Sequence, residues 1–145
     1  MIRKVSYSEL FMNESFQDLV EQYGEECSSL GSPNPDPLLY AILEKSGGFQ
    51  AFGVYDGGRL IGFGSVLVYV LPHFGRKIAS SESVFISKEN RKSWLGIDLL
   101  DEMKDYAKER ECEKFLWSAP VGSHFDQLLS VLYPHINNVY MMDLQ

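Results

Sequence analysis

Residues 80–107 read SSESVFISKENRKSWLGIDLLDEMKDYA. The short run Val84-Phe85-Ile86 has strand character and stops at a polar turn. The turn carries two adjacent cations, Arg91 and Lys92, and Gly96 follows. From there Leu99, Leu100, Met103, Tyr106 and Ala107 recur at helical spacing. A strand therefore feeds a basic turn, and the turn opens a helix. The first N–H groups of a helix lack intrahelical partners, and the helix dipole is positive at that end. With Arg91 and Lys92 beside it, the segment is a candidate phosphate cradle. An ordinary strand-to-helix connection with solvated cations is the alternative.

Outward from this segment the chain alternates short strands and helices. Ile2 to Ser6 reads as a first strand. Asn13 is placed to cap a helix along which Phe16, Leu19, Val20 and Tyr23 follow an i, i+3, i+4, i+7 pattern. Its Glu14, Asp18, Glu21, Glu25 and Glu26 form a solvated face or a cation-attracting rim. A loop over Ser28–Asp36 leads to Asp36-Pro37, a capping carboxylate before a proline at the first helical position. Leu38, Leu39, Ile42 and Leu43 supply the apolar face of that second helix, and Gly47-Gly48 ends it. Phe49–Tyr55 is β-like, Asp56-Gly57-Gly58 signals a hairpin, and Leu60–Leu71 is a long apolar run in which Gly62 and Gly64 predict a bend or bulge. A turn at residues 72–77 returns the chain into a strand over Ile78–Ile86. The third helix ends near Arg110. Phe115–Ala119 is a fifth strand, reached through a helix and so parallel to the fourth. Ser123 caps a fourth helix carrying Phe125, Leu128, Leu129 and Leu132, and Asn138–Leu144 is predicted as a last strand. The order β-α-α-β-β-β-α-β-α-β describes an α/β (α+β) protein, with a mixed central sheet and helices on both faces.

The 145 residues suit a single domain, 1–145, with a full hydrophobic core. A net charge of −7 argues against a general nucleic-acid binder, which would carry a basic footprint. No apolar run approaches the ~18 residues of a membrane span. The opening residues read as a strand rather than a signal peptide. Cys27 and Cys112 lack metal-site spacing and fit reduced thiols of a cytoplasmic protein. No neighbouring cationic pattern marks either as reactive.

The element order and the central segment together resemble the GCN5-related N-acetyltransferase (GNAT) family. The family's acetyl-CoA motif, Arg or Gln followed by x-x-Gly-x-Gly or Ala, is similar to Arg91-Lys92-Ser93-Trp94-Leu95-Gly96, with Trp94 in place of the first glycine. The likeness is greatest to small members carried by tailed bacteriophages, through Pro33-Asn34-Pro35, Leu71-Pro72-His73-Phe74-Gly75, Glu82-Ser83-Val84-Phe85 and Ser118-Ala119-Pro120-Val121-Gly122.

The resemblance implies transfer of acetyl from acetyl-CoA, as co-substrate, to a primary amine of a small molecule or protein. It implies a pyrophosphate site on the backbone from Lys92 through Ser93, Trp94 and Leu95 to Gly96, with Arg91 beside it. The pantetheine arm would run along the backbone of Phe85 and Ile86, where the family's fourth and fifth strands splay apart. Glu82 is the candidate general base. By strand alternation it shares a face with Val84 and Ile86, and a carboxylate among apolar neighbours suits proton transfer near neutrality. A structural carboxylate paired with Arg76 or Lys77 is the alternative. His73, in the turn before the fourth strand, is a second candidate, imidazole being a common proton acceptor; an exposed turn histidine is the alternative. Tyr133 and Tyr140 are candidates for the acid that reprotonates the CoA thiolate, since the family's usual helix-four tyrosine position aligns with Leu129. The acidic first helix and the Ser28–Asp36 loop border the family's usual acceptor site and favour a cationic acceptor such as a polyamine, lysine or protein N-terminus. A homodimer is a further partner that the family makes possible. The competing function is a catalytically weak or inactive protein on this scaffold, structural or host-directed in a phage setting.

Overall fold

The computed structural model describes residues 1–91 and 93–145, with the side chains of all of these except Ser28. Local signals start most elements. Oδ1 of Asp36 accepts from the N–H groups of Leu38 and Leu39, at 3.0 and 3.3 Å, and Pro37 opens the helix it caps. Gly57 and Gly58 take φ of +56° and +82°, the left-handed pair required by a two-residue hairpin between Asp56 and Arg59. Ser123 accepts from the Asp126 N–H at 3.1 Å and starts the last helix.

The elements are β1 (Ile2–Val5), α1 (Tyr7–Phe11), α2 (Phe16–Glu26), α3 (Pro37–Lys45), β2 (Phe49–Asp56), β3 (Arg59–Leu71), β4 (Arg76–Ile86), α4 (Leu95–Glu109), β5 (Lys114–Leu116) and α5 (His124–Leu132). Single 3-10 turns occupy Ser28–Leu30 and Lys88–Asn90. The five strands lie side by side in sequence order. β1 to β4 are antiparallel neighbours, and β5 pairs parallel to β4 after the α4 crossover. No helix among the described residues is long and apolar enough to cross a membrane.

Two apolar clusters cover the two faces of the sheet. One contains Tyr7, Leu10, Phe16, Leu19 and Val20 from α1 and α2, packed on Phe49, Phe63 and Phe85. The other contains Leu99, Met103, Tyr106 and Ala107 of α4, packed on Phe52, Val54, Val66 and Ile86. Gly64 of β3 lets α4 sit close: a Cβ there would lie 2.9 Å from the Met103 sulfur.

Several sequence expectations are corrected. Ser6 does not end β1; it caps α1, its Oγ accepting from the Glu9 N–H at 3.1 Å, and a five-residue helix carries too little periodicity to be seen. Asn13 does not cap α2. Ser15 holds that place, and Asn13 bonds the Ser15 N–H at 2.9 Å within the preceding turn. Leu38, Leu39 and Ile42 of α3 are exposed, while Tyr40 and Leu43 pack inward, because Tyr40 stacks on Tyr7 with ring centroids 3.8 Å apart. Asn138–Leu144 is no strand. It pairs with no neighbour, and Val139, Tyr140, Met141, Met142 and Leu144 stay exposed; strand propensity yields structure only where an edge and a surface to pack on are supplied.

Candidate functional site

β4 is where chain geometry turns into a site. Residues directly opposite in a ladder share a face. Ser83 stands opposite Ser65, Ser81 opposite Val66 and Ser80 opposite Leu67, so Glu82 has no partner and forms a β-bulge. The bulge changes which side Glu82 faces. Unbroken alternation from Val84 and Ile86 would point it toward α4. Instead its carboxylate lies on the α1–α3 side, with Ser83 and Phe85, and this corrects the face expected from sequence.

There Glu82 receives two hydroxyl donors. Tyr40 of α3 donates to Oε1, and Ser65 of β3 donates to Oε2. The Ser65 and Ser83 hydroxyls lie 2.7 Å apart. Neither Arg76 nor Lys77 approaches it. Arg76 pairs with Glu113 at 3.1 Å, and Glu82 takes part in no salt bridge among the described residues. The structural pairing considered for Glu82 is therefore absent.

The carboxylate looks into a half-open cavity of about 400 Å³ beneath α1, α2 and α3, walled by aromatic and aliphatic side chains and bordered by the Pro33–Asp36 segment. Tyr7 stacks on Tyr40, and Tyr23 meets Phe63 edge-on at 5.8 Å between centroids. Burial, and secondarily the Glu82 charge, pushes the Tyr7 phenol up to about 12. Burial also raises Tyr23 to about 12, reinforced by Cys27 and Glu82. Tyr40 is raised further, by burial first, then by the charge of Glu82 and the hydrogen bond to it. All three phenols stay protonated at neutral pH, so Tyr40 remains a donor. The Tyr7 hydroxyl is buried without a hydrogen-bond partner.

On its other edge β4 is open. β5 pairs only with Ile78, Ala79 and Ser80, and beyond that Ser118 N–H reaches Ser81 Oγ at 3.0 Å. The backbone from Glu82 to Ile86 faces no strand on that side. Phe85 and Ile86 bury their side chains on opposite faces, so only their backbone can meet a ligand. Helix α4 starts at Leu95 with Trp94 as a cap that supplies no side-chain acceptor. Ser93 Oγ lies 3.4 Å from the Leu95 N–H, Trp94 is 78% exposed, and a Cβ on Gly96 would touch nothing within 4 Å. Strand edge, open helix start and bare glycine backbone fit an extended ligand carrying phosphates. Lys92 lies outside the described residues.

Arg91 is already engaged. Its Nε donates to the Ile86 carbonyl at 2.7 Å, and one terminal nitrogen meets both Glu26 carboxylate oxygens at 2.9 Å. The guanidinium also lies over Phe85, 5.2 Å from the ring centroid. Arg91 thus ties the end of α2 to the end of β4.

None of the remaining candidates hydrogen-bonds Glu82 among the described residues. His73 is exposed at the β3–β4 hairpin tip, its ring 4.1 Å from that of Phe74. Glu82 is six strand positions past Arg76, roughly 20 Å away along the strand. Tyr133 caps the end of α5, its N–H donating to the Leu129 carbonyl at 2.9 Å and its ring stacked on Trp117 at 6.3 Å. Tyr140 is 88% exposed. Cys27 and Cys112 are free thiols whose ionisation is pushed up chiefly by burial. No metal-binding cluster occurs among the described residues. Tyr40, Ser65, Tyr7 and Tyr23 were not foreseen. The i, i+3 pair Tyr40 and Leu43, on a helix with a fixed start, is the one sequence signal that singles out Tyr40.

A sequence model described as the Acetyltransferase (GNAT) family matches residues 13–124. No curated protein matches the chain. Among solved structures, a ribosomal-protein-alanine N-acetyltransferase from Brucella melitensis biovar Abortus 2308 superposes with a TM-score of 0.74 at 18% identity, over 99% of each chain. An aminoglycoside acetyltransferase from an uncultured soil metagenomic sample, in complex with sisomicin, gives 0.72 at 12% identity, over 99% of this chain and 96% of that one. A transcriptional regulator from Bacillus halodurans C-125 gives 0.71 at 16% identity, over 99% of each. At these identities the likeness is one of fold.

Proposed function

The chain belongs to the acetyltransferase (GNAT) family, and on that premise we propose that it moves an acetyl group from acetyl-CoA to a primary amine, with Glu82 as general base. The observation that carries this is the position of Glu82. It stands on β4 facing a cavity about half open to solvent, and the same strand leaves its other edge open beside the start of α4.

Acetyl-CoA supplies an activated acyl group as a thioester. The chain's own residues do the rest. The open β4 edge at Phe85 and Ile86 offers backbone groups to an amide-bearing arm. The start of α4, from Ser93 through Trp94 and Leu95 to Gly96, offers N–H groups and the positive end of the helix dipole to phosphates, with Arg91 alongside. An amine reaches the cavity as its ammonium ion. Glu82 would take one proton from it, freeing the nitrogen lone pair for attack on the acyl carbon; the C–N bond would form as the thioester C–S bond breaks, and the departing thiolate would take up the second proton shed by the amide nitrogen. Tyr40 and Ser65 hold the carboxylate in place through its two oxygens. His73, exposed at the hairpin tip, has no part in this scheme.

The test is ligand-induced stabilisation followed by kinetics. Binding to the native state must raise the melting temperature, so roughly 1 mM acetyl-CoA should do so. Arg91→Glu should abolish the rise. Glu82→Gln should keep the rise and lose turnover. No stabilisation of the wild-type protein removes the enzyme assignment, and full turnover in Glu82→Gln removes Glu82 from it.

A further inference from the structure

We infer that Ser83 is a positioning residue for Glu82 and acts through Ser65: the Ser83 hydroxyl donates to Ser65, and Ser65 thereby keeps its own proton on the carboxylate. This rests on the acetyl transfer proposed above and adds a residue to the machinery that sets its base.

The three side chains meet because of the bulge. Consecutive residues of a regular strand point to opposite faces, so Glu82 and Ser83 could not both reach one neighbour on β3. With Glu82 unpaired in the ladder, both lie on the cavity side, and Ser65 stands directly opposite Ser83. Ser65 Oγ hydrogen-bonds Glu82 Oε2 and lies 2.7 Å from Ser83 Oγ. Ser65 is 3% exposed, so these two side chains, rather than solvent, satisfy its hydroxyl.

The direction of the chain follows from counting protons. An ionised carboxylate only accepts, so the single Ser65 proton goes to Glu82. The Ser65–Ser83 contact then needs the Ser83 proton. With that proton against its oxygen, Ser65 cannot turn its own proton toward Ser83, and its rotor is locked on Glu82. A donated hydrogen bond also polarises the next one along the chain, more so away from water. The effect on Glu82 is one of orientation. The terminal torsion of a glutamate is broad. Held by Tyr40 at Oε1 alone, the carboxylate would swing about that bond; the second donor at Oε2 fixes its plane. Ser83 makes no other side-chain hydrogen bond among the described residues, so nothing competes for its proton.

The experiment measures turnover and denaturant midpoints for a series at Ser83. Turnover is read on whichever of spermidine, lysine methyl ester or an alanine-led peptide the wild type acetylates fastest. Ser83→Ala should lower kcat about fivefold, the worth of one ordinary hydrogen bond, with the KM for acetyl-CoA unchanged. Ser83→Thr keeps the hydroxyl and should recover most of the loss. Ser83→Cys, with a weaker donor, should fall between. In a Ser65→Ala background, Ser83→Ala should cost less than about 1.5-fold more, because the relay is already cut. Full turnover in Ser83→Ala, no recovery in Ser83→Thr, or the same loss on top of Ser65→Ala each overturns the inference. The midpoints read the relay without catalysis. Ser83→Ala should raise the unfolding constant about fivefold in wild type. The rise should be at least about twofold smaller in Glu82→Gln, whose amide can offer Ser65 either a donor or an acceptor and no longer fixes the direction. Equal effects in the two backgrounds overturn the inference. If acetyl-CoA neither stabilises the protein nor acetylates any of the three amines while the midpoints behave as expected, acetyl transfer falls and the relay stands. If Glu82→Gln loses turnover while Ser83→Ala matches wild type, the relay falls and acetyl transfer stands.

Discussion

The Tyr40 hydroxyl donates a hydrogen bond to Oε1 of Glu82, joining residues 42 apart in sequence. Helix α3 is thereby fixed to a carboxylate that faces the cavity. Tyr40→Phe removes the donor and keeps the ring stacked on Tyr7. Hydrogen bonds to a charged group contribute about 2 kcal/mol, so the variant should melt roughly 4–8 °C lower. Turnover should fall about tenfold, because the proposed base loses one of the groups that orient it. Unchanged turnover would restrict Tyr40 to packing.

Alkaline pH should destabilise the protein from about 10 upward, where tyrosines of the unfolded chain begin to ionise. Tyr7 and Tyr23 titrate near 12 in the folded chain, and Tyr40 is raised further, against about 10 when unfolded. Below 10 both states hold these protons and nothing changes. Above 10 the unfolded chain releases them and the folded chain does not, so stability falls as pH rises. Each tyrosine steepens the fall by about 1.4 kcal/mol per pH unit until its folded form ionises. Denaturant midpoints between pH 8 and 11.5 should be flat and then drop. Tyr23→Phe should make the drop shallower; a curve parallel to wild type would contradict the assigned burial.

Gly64 is expected to tolerate no larger residue. A Cβ at this position meets the Met103 sulfur at 2.9 Å and Leu99 at 3.2 Å. Met103 can yield, but the branches of Gly64→Val have nowhere to go between β3 and α4. Overpacking of this kind costs about 1–3 kcal/mol. The melting temperature should fall by several degrees, and a variant as stable as wild type would mean that α4 sits less tightly on the sheet.

Glu26→Gln tests the latch at Arg91. In the free protein Glu26 neutralises the guanidinium that lies beside the proposed phosphate site. Removing that carboxylate leaves Arg91 held by the Ile86 carbonyl and by Phe85, with its charge unopposed. Acetyl-CoA should then bind about threefold more tightly at low salt, with the gain lost near 1 M, where screening is nearly complete. Equal affinity at all ionic strengths would make Arg91 a structural tie alone.

The sequence legible here was the local kind. Asp36-Pro37, Gly57-Gly58 and Ser123 act within four residues, and each made the turn or cap that its chemistry demands. The mixed sheet and the parallel β5 followed from element order. Glu82 was identifiable as a carboxylate on the right strand. Its face was not, because the bulge depends on how β4 registers against β3, which no single strand encodes. Tyr40 was hidden for the same reason: its value lies in a partner 42 residues away. Arg91 was read as a free cation, and the Glu26 that holds it is 65 residues distant. The tail at Asn138–Leu144 has strand composition, but composition cannot tell whether an edge will be offered to it.

The bulge at Glu82 has a consequence for how this fold can change. Before it, Ser80 faces the cavity side; after it, Ser83 and Phe85 do, so the strand switches parity at one residue. The residue at the switch has no cross-strand partner. Every other position on β4 from Arg76 to Ile86 must suit the strand beside it, whereas position 82 answers only to the cavity. The chemistry of the chamber can therefore be exchanged at this point without renegotiating the sheet, and the sheet can drift without disturbing the chemistry.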